Sequence, residues 1–182
     1  MDCARIFGNN NPVIAEIGFG MGLATAVIAE ENPAKNYVGV EVHRPGIGRL
    51  LWEIERRSLS NIRIIEQDAA LVFGKMIPHC SLEGIHLFFP DPWPKKRHHK
   101  RRLVKRPFTA ALKPGGYLYM VTDWEDYAAW ALAELGATDG LVNSCDGFAP
   151  PRDWRPRTAF EKKGLAQNHQ VRELFFYKNE ER

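Results

Sequence analysis

Short apolar segments alternate with longer segments of helical periodicity, and this alternation constrains the fold more than any other feature of the chain. Five apolar segments predict buried strands at residues 12–17, 36–42, 61–66, 84–89 and 116–121. Segments with helical spacing follow them at residues 21–31, 45–58, 69–77, 100–112 and 125–135. We expect the fourth helix to bend or break near Pro107, because proline removes a helical hydrogen bond. The alternation predicts an α/β fold, with a mostly parallel sheet and helices on both of its faces.

The last third of the chain departs from this alternation. Residues 141–145 and 172–177 have strand-like patterns and are joined by a long connection rich in proline and arginine. Together with the first five strands they predict a seven-stranded sheet with a C-terminal antiparallel hairpin. Long connections inside compact domains often contain binding or catalytic residues, so we expect a functional role for this one. The length of 182 residues favours a single domain, with residues 1–11 as a short N-terminal extension.

Composition argues against several classes of protein. Apolar residues make up 45% and charged residues 26%, as in ordinary globular proteins. No segment approaches the roughly 18 consecutive apolar residues of a membrane span, and the N-terminus lacks the pattern of a signal peptide. Cys3, Cys80 and Cys145 form no CxxC pair, which argues against a zinc site and a disulfide framework. We therefore expect a cytoplasmic protein without a metal, a membrane anchor or an obligate protein partner.

Acidic residues stand at the ends of the first four predicted strands. They are Glu16, Glu41, Asp68 and Asp91. Open α/β sheets bind ligands at the carboxyl ends of their strands, so these carboxylates are expected to line one site. Two of them also have simpler interpretations, since Glu41 fits a surface charge and Asp68 fits a helix N-cap. Acidic residues at four successive strand ends nevertheless favour a shared ligand.

The turn after the first strand favours one kind of cofactor. Its sequence, Glu16-Ile17-Gly18-Phe19-Gly20-Met21-Gly22, has three glycines that let the backbone pass close to a ligand. A dinucleotide-binding turn needs its third glycine one position later, where this chain has Leu23. S-adenosylmethionine has no pyrophosphate and suits the observed spacing better. Glu41 would then accept hydrogen bonds from the ribose hydroxyls, and Asp68 would face the adenine edge.

A carboxylate, a large aromatic ring and the start of a basic cluster occur together in the segment Phe89-Pro90-Asp91-Pro92-Trp93-Pro94-Lys95. Eight Lys or Arg residues lie between positions 95 and 106, and no acidic residue occurs between Asp91 and Asp123. Such a patch attracts polyanions although the net charge of the chain is only +3. Trp93 either stacks on a base or packs under the loop. The combination favours chemistry on a nucleotide.

These motifs resemble those of the bacterial TrmB-type tRNA (guanine-N7-)-methyltransferases. The resemblance extends over residues 12–177, and its most specific parts are the glycine turn, the segment 89–95, Thr122-Asp123-Trp124 and Thr158-Ala159-Phe160-Glu161. It implies the Rossmann-like fold of class I S-adenosylmethionine-dependent methyltransferases. It also implies methyl transfer to N7 of a guanine in the variable loop of tRNA.

The resemblance implies roles for individual residues as well. Methyl-donor contacts are implied at Glu16, Glu41, Asp68 and Asp91, beside Gly18, Gly20 and Gly22. Substrate contacts are implied at Lys95, Asp123, Thr158 and Glu161. RNA contacts are implied in the basic run, at Arg97, Lys100, Arg101 and Arg102. The basic N-terminal arm that is usual in the family has no counterpart among residues 1–11, where Arg5 is the single Lys or Arg.

Asp91 is the expected catalytic residue. Guanine N7 has a lone pair and carries no proton, so methyl transfer to this atom needs no general base. A carboxylate between the two ligands would hold both of them and stabilise the positive charge that moves to the base. Asp123 would accept hydrogen bonds from the guanine edge, although Thr122-Asp123-Trp124-Glu125 also resembles a helix-capping box.

The long connection before the last strand has two possible roles. Thr158 and Glu161 would close over the cofactor or the guanine, although their spacing is also that of a capping box. Arg152, Arg155 and Arg157 are candidates for a second phosphate contact.

Two alternative functions stay open. One is a methyltransferase that acts on another RNA, a protein or an amine, because an Asp-Pro-aromatic loop also suits such substrates. The other is a noncatalytic RNA-binding protein that retains the fold. The cationic run argues against a small substrate, and the acidic residues at four strand ends argue against a noncatalytic protein.

Overall fold

The computed structural model describes residues 1–104 and 106–180, with side chains at all of these positions except 106, 107 and 159. Lys105 and the side chain of Arg106, both part of the predicted cationic cluster, therefore lie outside the described residues. The side chain of Pro107, where a bend is predicted, also lies outside them.

Seven strands form one sheet with the order β3-β2-β1-β4-β5-β7-β6. The strands are β1 Val13–Ile17, β2 Asn36–Glu41, β3 Ile62–Glu66, β4 Leu82–Phe88, β5 Leu112–Thr122, β6 Leu141–Asn143 and β7 Arg172–Lys178. The first five are parallel, and β7 runs antiparallel to both β5 and β6. The predicted class, a mostly parallel α/β sheet with an antiparallel C-terminal end, is confirmed.

Helices cover both faces of this sheet. They are α1 Cys3–Phe7, α2 Leu23–Glu31, α3 Arg44–Arg57, α4 Ala69–Lys75, α5 Arg106–Ala110, α6 Glu125–Gly136 and α7 Ala159–Ala166. On one face, Phe73 of α4 and Tyr127 of α6 pack in a core with Ile85 of β4. On the other face, Ile28 of α2 and Leu50 of α3 belong to a second core. Burial on both faces explains why the strands appear in the sequence as continuous apolar runs.

The predicted helical segment over residues 100–112, bent or broken near Pro107, is wrong in its bounds and in the place of its break. The chain instead forms a short 3₁₀ helix, Lys96–Arg101, and then α5. Helical geometry stops at Arg102, whose side chain turns inward and donates to the carbonyl oxygen of Pro92 at 3.0 Å. Leu112, the last residue of the predicted segment, belongs to β5, which starts early because Leu112 pairs with Leu82 of β4.

Two helices were not predicted as such. Helix α1 lies inside the predicted N-terminal extension, and its N-cap Asp2 accepts a hydrogen bond from the Arg5 backbone. Helix α7 lies in the long connection between β6 and β7. Among residues 1–104 and 106–180, no helix has the length and apolar character that a membrane span requires.

Candidate active site

A cleft of about 650 Å³ opens at the carboxyl edge of the parallel strands. Its lining includes Gly18 after β1, Glu41 at the end of β2, Asp68 after β3 and Asp91 after β4. The chain order of the sheet explains this convergence, because parallel strands deliver their carboxyl ends to one edge. The structure therefore brings three of the four predicted acidic residues to one cleft, together with Gly18, whereas Glu16 is not among the lining residues.

The glycine turn between β1 and α2 needs glycine at positions where the backbone is left-handed. Gly18, Gly20 and Gly22 have φ values of 71°, 56° and 69°. A Cβ atom at Gly22 would also lie 2.6 Å from the Cβ atom of Leu50 in α3. Larger residues would therefore strain the turn and push it away from the second core.

Gly46, in the first turn of α3, was missed by sequence reasoning. A Cβ atom there would lie 1.9 Å from the carbonyl oxygen of Gly20, so the glycine turn rests directly on this helix. The sequence contains one indication of this role, because Gly46 follows Pro45 near the start of a predicted helix. Its contact with the glycine turn depends on the fold and is not visible in local sequence.

Glu41 fixes the same turn from the other side. One carboxylate oxygen accepts the Gly20 backbone N–H at 2.9 Å. The other accepts the backbone N–H groups of Val42 and His43 at 2.7 and 3.0 Å. Glu41 is thus bound to the backbone on both oxygens and is more than a surface charge, while it still borders the cleft.

Glu16 lies at the end of β1 but is buried below the surface of the cleft. Its side chain is 3% exposed, and no donor among the described residues reaches Oε2. Burial raises its pKa from 4.5 to about 7, because a charged carboxylate is disfavoured away from water. A buried carboxyl oxygen without a donor, two residues before Gly18, fits a ligand that carries hydrogen-bond donors or positive charge.

Asp68 is the N-cap of α4, which confirms its simpler interpretation. Its Oδ1 accepts the backbone N–H groups of Ala70 and Leu71 at 2.9 and 3.3 Å. The side chain remains exposed and lines the cleft. Capping and a ligand contact are compatible, since both caps use the same oxygen.

Asp91 is exposed in the cleft, within a strained loop. Phe89 and Trp93, on either side of it, have φ values of 50° and 45°. Positive φ is rare in residues other than glycine and concentrates at functional sites. The Trp93 ring is in contact with Arg101, whose guanidinium carbon lies 4.7 Å from the ring centroid. Trp93 is therefore partly packed inside its own loop.

The predicted RNA contact of Arg102 is contradicted by the structure. Its side chain is 0% exposed and forms an ion pair of 2.6 Å with Asp126 of α6. Its guanidinium also lies 4.9 Å from the ring centroids of Tyr127 and Trp130. Arg102 stabilises the inside of the loop, whereas Lys95, Arg97, Lys100 and Arg101 are exposed.

Asp123 does not form the predicted capping box. Helix α6 begins after Trp124, whose side chain makes no cap, and Thr122 Oγ1 accepts the Trp124 backbone N–H at 3.2 Å. The Asp123 carboxylate instead lies 3.1 Å from His169 Nδ1, on the segment between α7 and β7. Asp123 is not among the residues that line the cleft.

The Thr158–Glu161 segment forms half of its predicted capping box. Thr158 accepts the Glu161 backbone N–H at 3.1 Å and caps α7. The Glu161 side chain does not return this bond, because it is buried against Arg155 at 2.6 and 2.8 Å. Arg155 is only 6% exposed, which contradicts its predicted phosphate contact.

The arrangement offers no centre for a metal ion in the part of the chain that the structure describes. Within residues 1–104 and 106–180, no cluster of three His, Cys, Asp or Glu side chains has a metal-binding arrangement. The chemical groups at the cleft are carboxylates, the backbone at Gly18, aromatic rings and exposed cations.

A mostly parallel seven-stranded sheet with an antiparallel β7, and with acidic residues around a glycine turn, defines the class of S-adenosylmethionine-dependent methyltransferases. The solved structure of a SAM-dependent O-methyltransferase from Thermotoga maritima has a similar fold, with a TM-score of 0.61 and 17% identity. The match covers 99% of this chain and 64% of that chain. An rRNA methylase from Streptococcus thermophilus gives a TM-score of 0.63 at 13% identity, over 93% of this chain and 88% of that one.

The family follows from closer relatives. The model of the family described as "Putative methyltransferase" matches residues 10–174. The tRNA (guanine-N(7)-)-methyltransferase of Dechloromonas aromatica is 50% identical over 99% of this chain and 75% of its own length. The chain belongs to the family of tRNA (guanine-N7-)-methyltransferases, as its motifs predicted.

Proposed function

We propose that this protein transfers the methyl group of S-adenosylmethionine to N7 of a guanine in tRNA. One observation carries the proposal: the cleft joins the carboxylates of Glu41, Asp68 and Asp91 to a loop of exposed cations. The relatives support it, because their names specify this reaction. Neither the carboxylates nor the cations alone would distinguish a nucleotide-modifying enzyme from a simple binding surface.

The donor side of the cleft suits S-adenosylmethionine, which supplies a methyl group on a positively charged sulfur. Glu41 would accept hydrogen bonds from the ribose, and Asp68 would face the adenine with the oxygen that does not cap α4. Gly18, Gly20 and Gly22 would let the backbone approach the ligand closely. Glu16, with its unpaired buried oxygen, would favour the cationic end of the cofactor.

Asp91 would act where the two ligands meet. The lone pair of N7 forms the new N–C bond, while the sulfur keeps the electron pair of the broken S–C bond. The positive charge therefore moves from sulfur to the guanine, and an exposed carboxylate beside it stabilises that charge. No proton has to leave N7, so alignment is the main requirement, and alignment can contribute about 7–11 kcal/mol.

The acceptor side requires contacts to the base and to the RNA backbone. Asp123 and Thr158 would contact the guanine, with Lys95 at the entrance of the loop. The exposed Arg97, Lys100 and Arg101 would neutralise phosphates, which makes binding dependent on salt.

The test is incubation of the protein with radiolabelled S-adenosylmethionine and unmodified tRNA, followed by mapping of the labelled nucleotide. We expect label at N7 of a single guanine. Label at another base atom, or on a protein or amine instead of tRNA, would show that the enzyme acts on a different substrate. Binding of S-adenosylmethionine in calorimetry without any transfer, or no binding at all, would contradict the proposal.

A further inference from the structure

The connection between β6 and β7 is tied to the sheet by one buried arginine. Arg155 donates two hydrogen bonds to the carboxylate of Glu161 on α7, at 2.6 and 2.8 Å. The same guanidinium donates to Glu173 of β7 at 2.8 Å. Arg155 therefore bridges a helix that belongs to the connection and a strand that belongs to the sheet.

The bridge has no unsatisfied carboxylate oxygen at Glu161 or Glu173. The second oxygen of Glu173 accepts the hydroxyl of Tyr119 on β5, and this hydroxyl in turn accepts the Nε–H of Arg155 at 3.1 Å. Glu161 and Glu173 are 3% and 2% exposed. A buried charge network in which every group has a partner is rigid, and removal of one member leaves the others unpaired.

The same helix reaches the loop of Asp91. Phe160, beside Glu161, contacts Phe89 edge to face, with ring centroids 5.3 Å apart. Phe89 is two residues before Asp91 and has a φ value of 50°, so its position fixes the start of that loop. At the other end of α7, His169 lies against Asp123. Helix α7 thus contacts Phe89 at the start of the Asp91 loop, and the segment that follows α7 contacts Asp123.

We propose that Arg155 is a positioning residue for methyl transfer. By holding Glu161 it fixes α7, and α7 fixes Phe89 and the loop that carries Asp91. Glu161 then serves as the ion-pair partner of Arg155 and not as a ligand of the substrate. This inference rests on the proposed function, because it assigns Arg155 a role in the alignment of Asp91.

Kinetics can separate a positioning role from a purely structural one. Arg57 offers a matched control, since it bridges Glu53 and Glu30 at the far end of α3, remote from the cleft. Arg155→Met and Arg57→Met each remove an arginine from between two glutamates. We expect both variants to unfold at a lower temperature, but only Arg155→Met to react slowly at temperatures where both are folded.

For Arg155→Met we expect kcat to fall by about a hundredfold, because small misplacements of reacting groups have effects of that size. The dissociation constant for S-adenosylmethionine should stay within about twofold of the wild-type value, since Glu41 and Asp68 do not contact this network. Unchanged kcat, or loss of S-adenosylmethionine binding in parallel with kcat, would overturn the inference.

A double-mutant cycle tests the assignment of Glu161. If Glu161 acts only through Arg155, the variant Arg155→Met/Glu161→Met will be no slower than Arg155→Met. If the reduction in kcat of the double variant equals the product of the reductions in the two single variants, Glu161 acts on the substrate independently of Arg155. That result would contradict the inference. Should Arg155→Met fail to fold, Arg155→Lys keeps the charge but cannot bridge both carboxylates, and its kcat should still fall with unchanged binding of S-adenosylmethionine. Absence of tRNA methylation by the wild-type chain would instead reject the proposed function itself.

Discussion

Asp91 differs from the other acidic residues of the cleft in its hydrogen bonding. Glu41 and Asp68 accept backbone hydrogen bonds, whereas no donor of the described residues is bound to the Asp91 carboxylate. Its neighbours are held in strained conformations, which fixes the loop without engaging the carboxylate. The residue is therefore positioned by the backbone and remains available to ligands.

Replacement of this carboxylate should affect the reaction and not the fold. We expect Asp91→Ala to lower kcat by about 10²–10³-fold, the usual loss when one electrostatic contact to the transition state is removed. Single-turnover methylation of tRNA measures the rate, and circular dichroism monitors the fold. Glu55→Ala, at an exposed position of α3, is the control and should react normally. A rate near that of the wild type would exclude the proposed role of Asp91.

The raised pKa of Glu16 predicts a dependence of stability on pH. The folded state holds the carboxyl proton up to about pH 7, whereas the unfolded chain releases it near pH 4.5. The folded state therefore binds more protons between these values, and this contribution to stability is lost as the pH rises from about 4.5 to 7. Glu16→Gln should lack the contribution. Urea unfolding of both proteins across this range measures the difference, and parallel pH profiles would contradict it.

Two arginines in one basic segment have opposite roles, and local sequence does not distinguish them. Arg101 is exposed, whereas Arg102 is buried because its partners Asp126, Tyr127 and Trp130 come from α6. The acidic residues of the cleft could be predicted because their place at strand ends is itself a sequence pattern. The burial of Arg102 and Arg155 could not, since it depends on packing against other elements: Asp126 of α6 for Arg102, and Tyr119 and Glu173 of the sheet for Arg155.

At the scale of elements, α3 contains two glycines with different surroundings. Gly46 packs against the glycine turn, whereas Gly48 faces open space. A Cβ atom at Gly46 meets the carbonyl oxygen of Gly20, whereas a Cβ atom at Gly48 meets no atom within 4 Å. Gly46→Ala should displace the turn, weaken S-adenosylmethionine binding by at least about tenfold and lower stability.

Gly48→Ala is the matched control in the same helix. It should raise the free energy of unfolding by about 0.5–1 kcal/mol, because alanine is the better helix former, and leave binding unchanged. Calorimetry with S-adenosylmethionine and urea unfolding measure the two effects. If the two variants bind S-adenosylmethionine equally well and are equally stable, the conformation of the glycine turn does not depend on its contact with α3.

The side chains of Arg97 and Arg101 in the 3₁₀ helix Lys96–Arg101 are exposed, whereas Arg102 is buried. We therefore expect substitutions of the exposed arginines to weaken tRNA binding and a substitution of Arg102 to lower stability. Replacement of Arg97 and Arg101 by glutamine should weaken tRNA binding and flatten its salt dependence. The slope of log K against log salt should fall by about 0.7–0.9 for each phosphate that the protein no longer neutralises. Arg102→Gln should instead lower the unfolding temperature, because it leaves Asp126 and the Pro92 carbonyl without their donor. An unchanged salt slope would show that the exposed arginines do not contact RNA.

For the whole molecule, the sheet could be predicted and its peripheral segments could not. The parallel strands are buried on both faces, so their apolar runs are evident without any knowledge of partners. Helix α7 and the 3₁₀ helix are held by contacts to distant segments, such as Phe160 to Phe89 and, just after the 3₁₀ helix, Arg102 to Asp126. Their local periodicity is weak, so sequence patterns predicted a connection in one place and, in the other, a helical segment bent or broken near Pro107.

Binding of the cofactor should stabilise the entire chain, because the cleft is formed by loops from four strands. A ligand at a concentration about 100 times its dissociation constant adds about 2.7 kcal/mol to the free energy of unfolding. For a protein of this size, the unfolding temperature should rise by about 5–10 °C in saturating S-adenosylmethionine. Thermal unfolding with and without the ligand tests this. No rise at saturation would argue against a cofactor site in the cleft.

The position of β7 has a consequence for synthesis on the ribosome. This strand is the last of the described elements in the chain, yet it lies between β5 and β6 in the sheet. Among the strands of residues 1–104 and 106–180, β6 pairs only with β7, and β7 also carries Glu173, the partner of Arg155. A nascent chain that has released residues 1–170 can build the parallel part of the sheet, but β6 lacks its pairing strand and Arg155 lacks Glu173. We therefore expect β6 and the complete Arg155 network to become ordered only after β7 has left the exit tunnel.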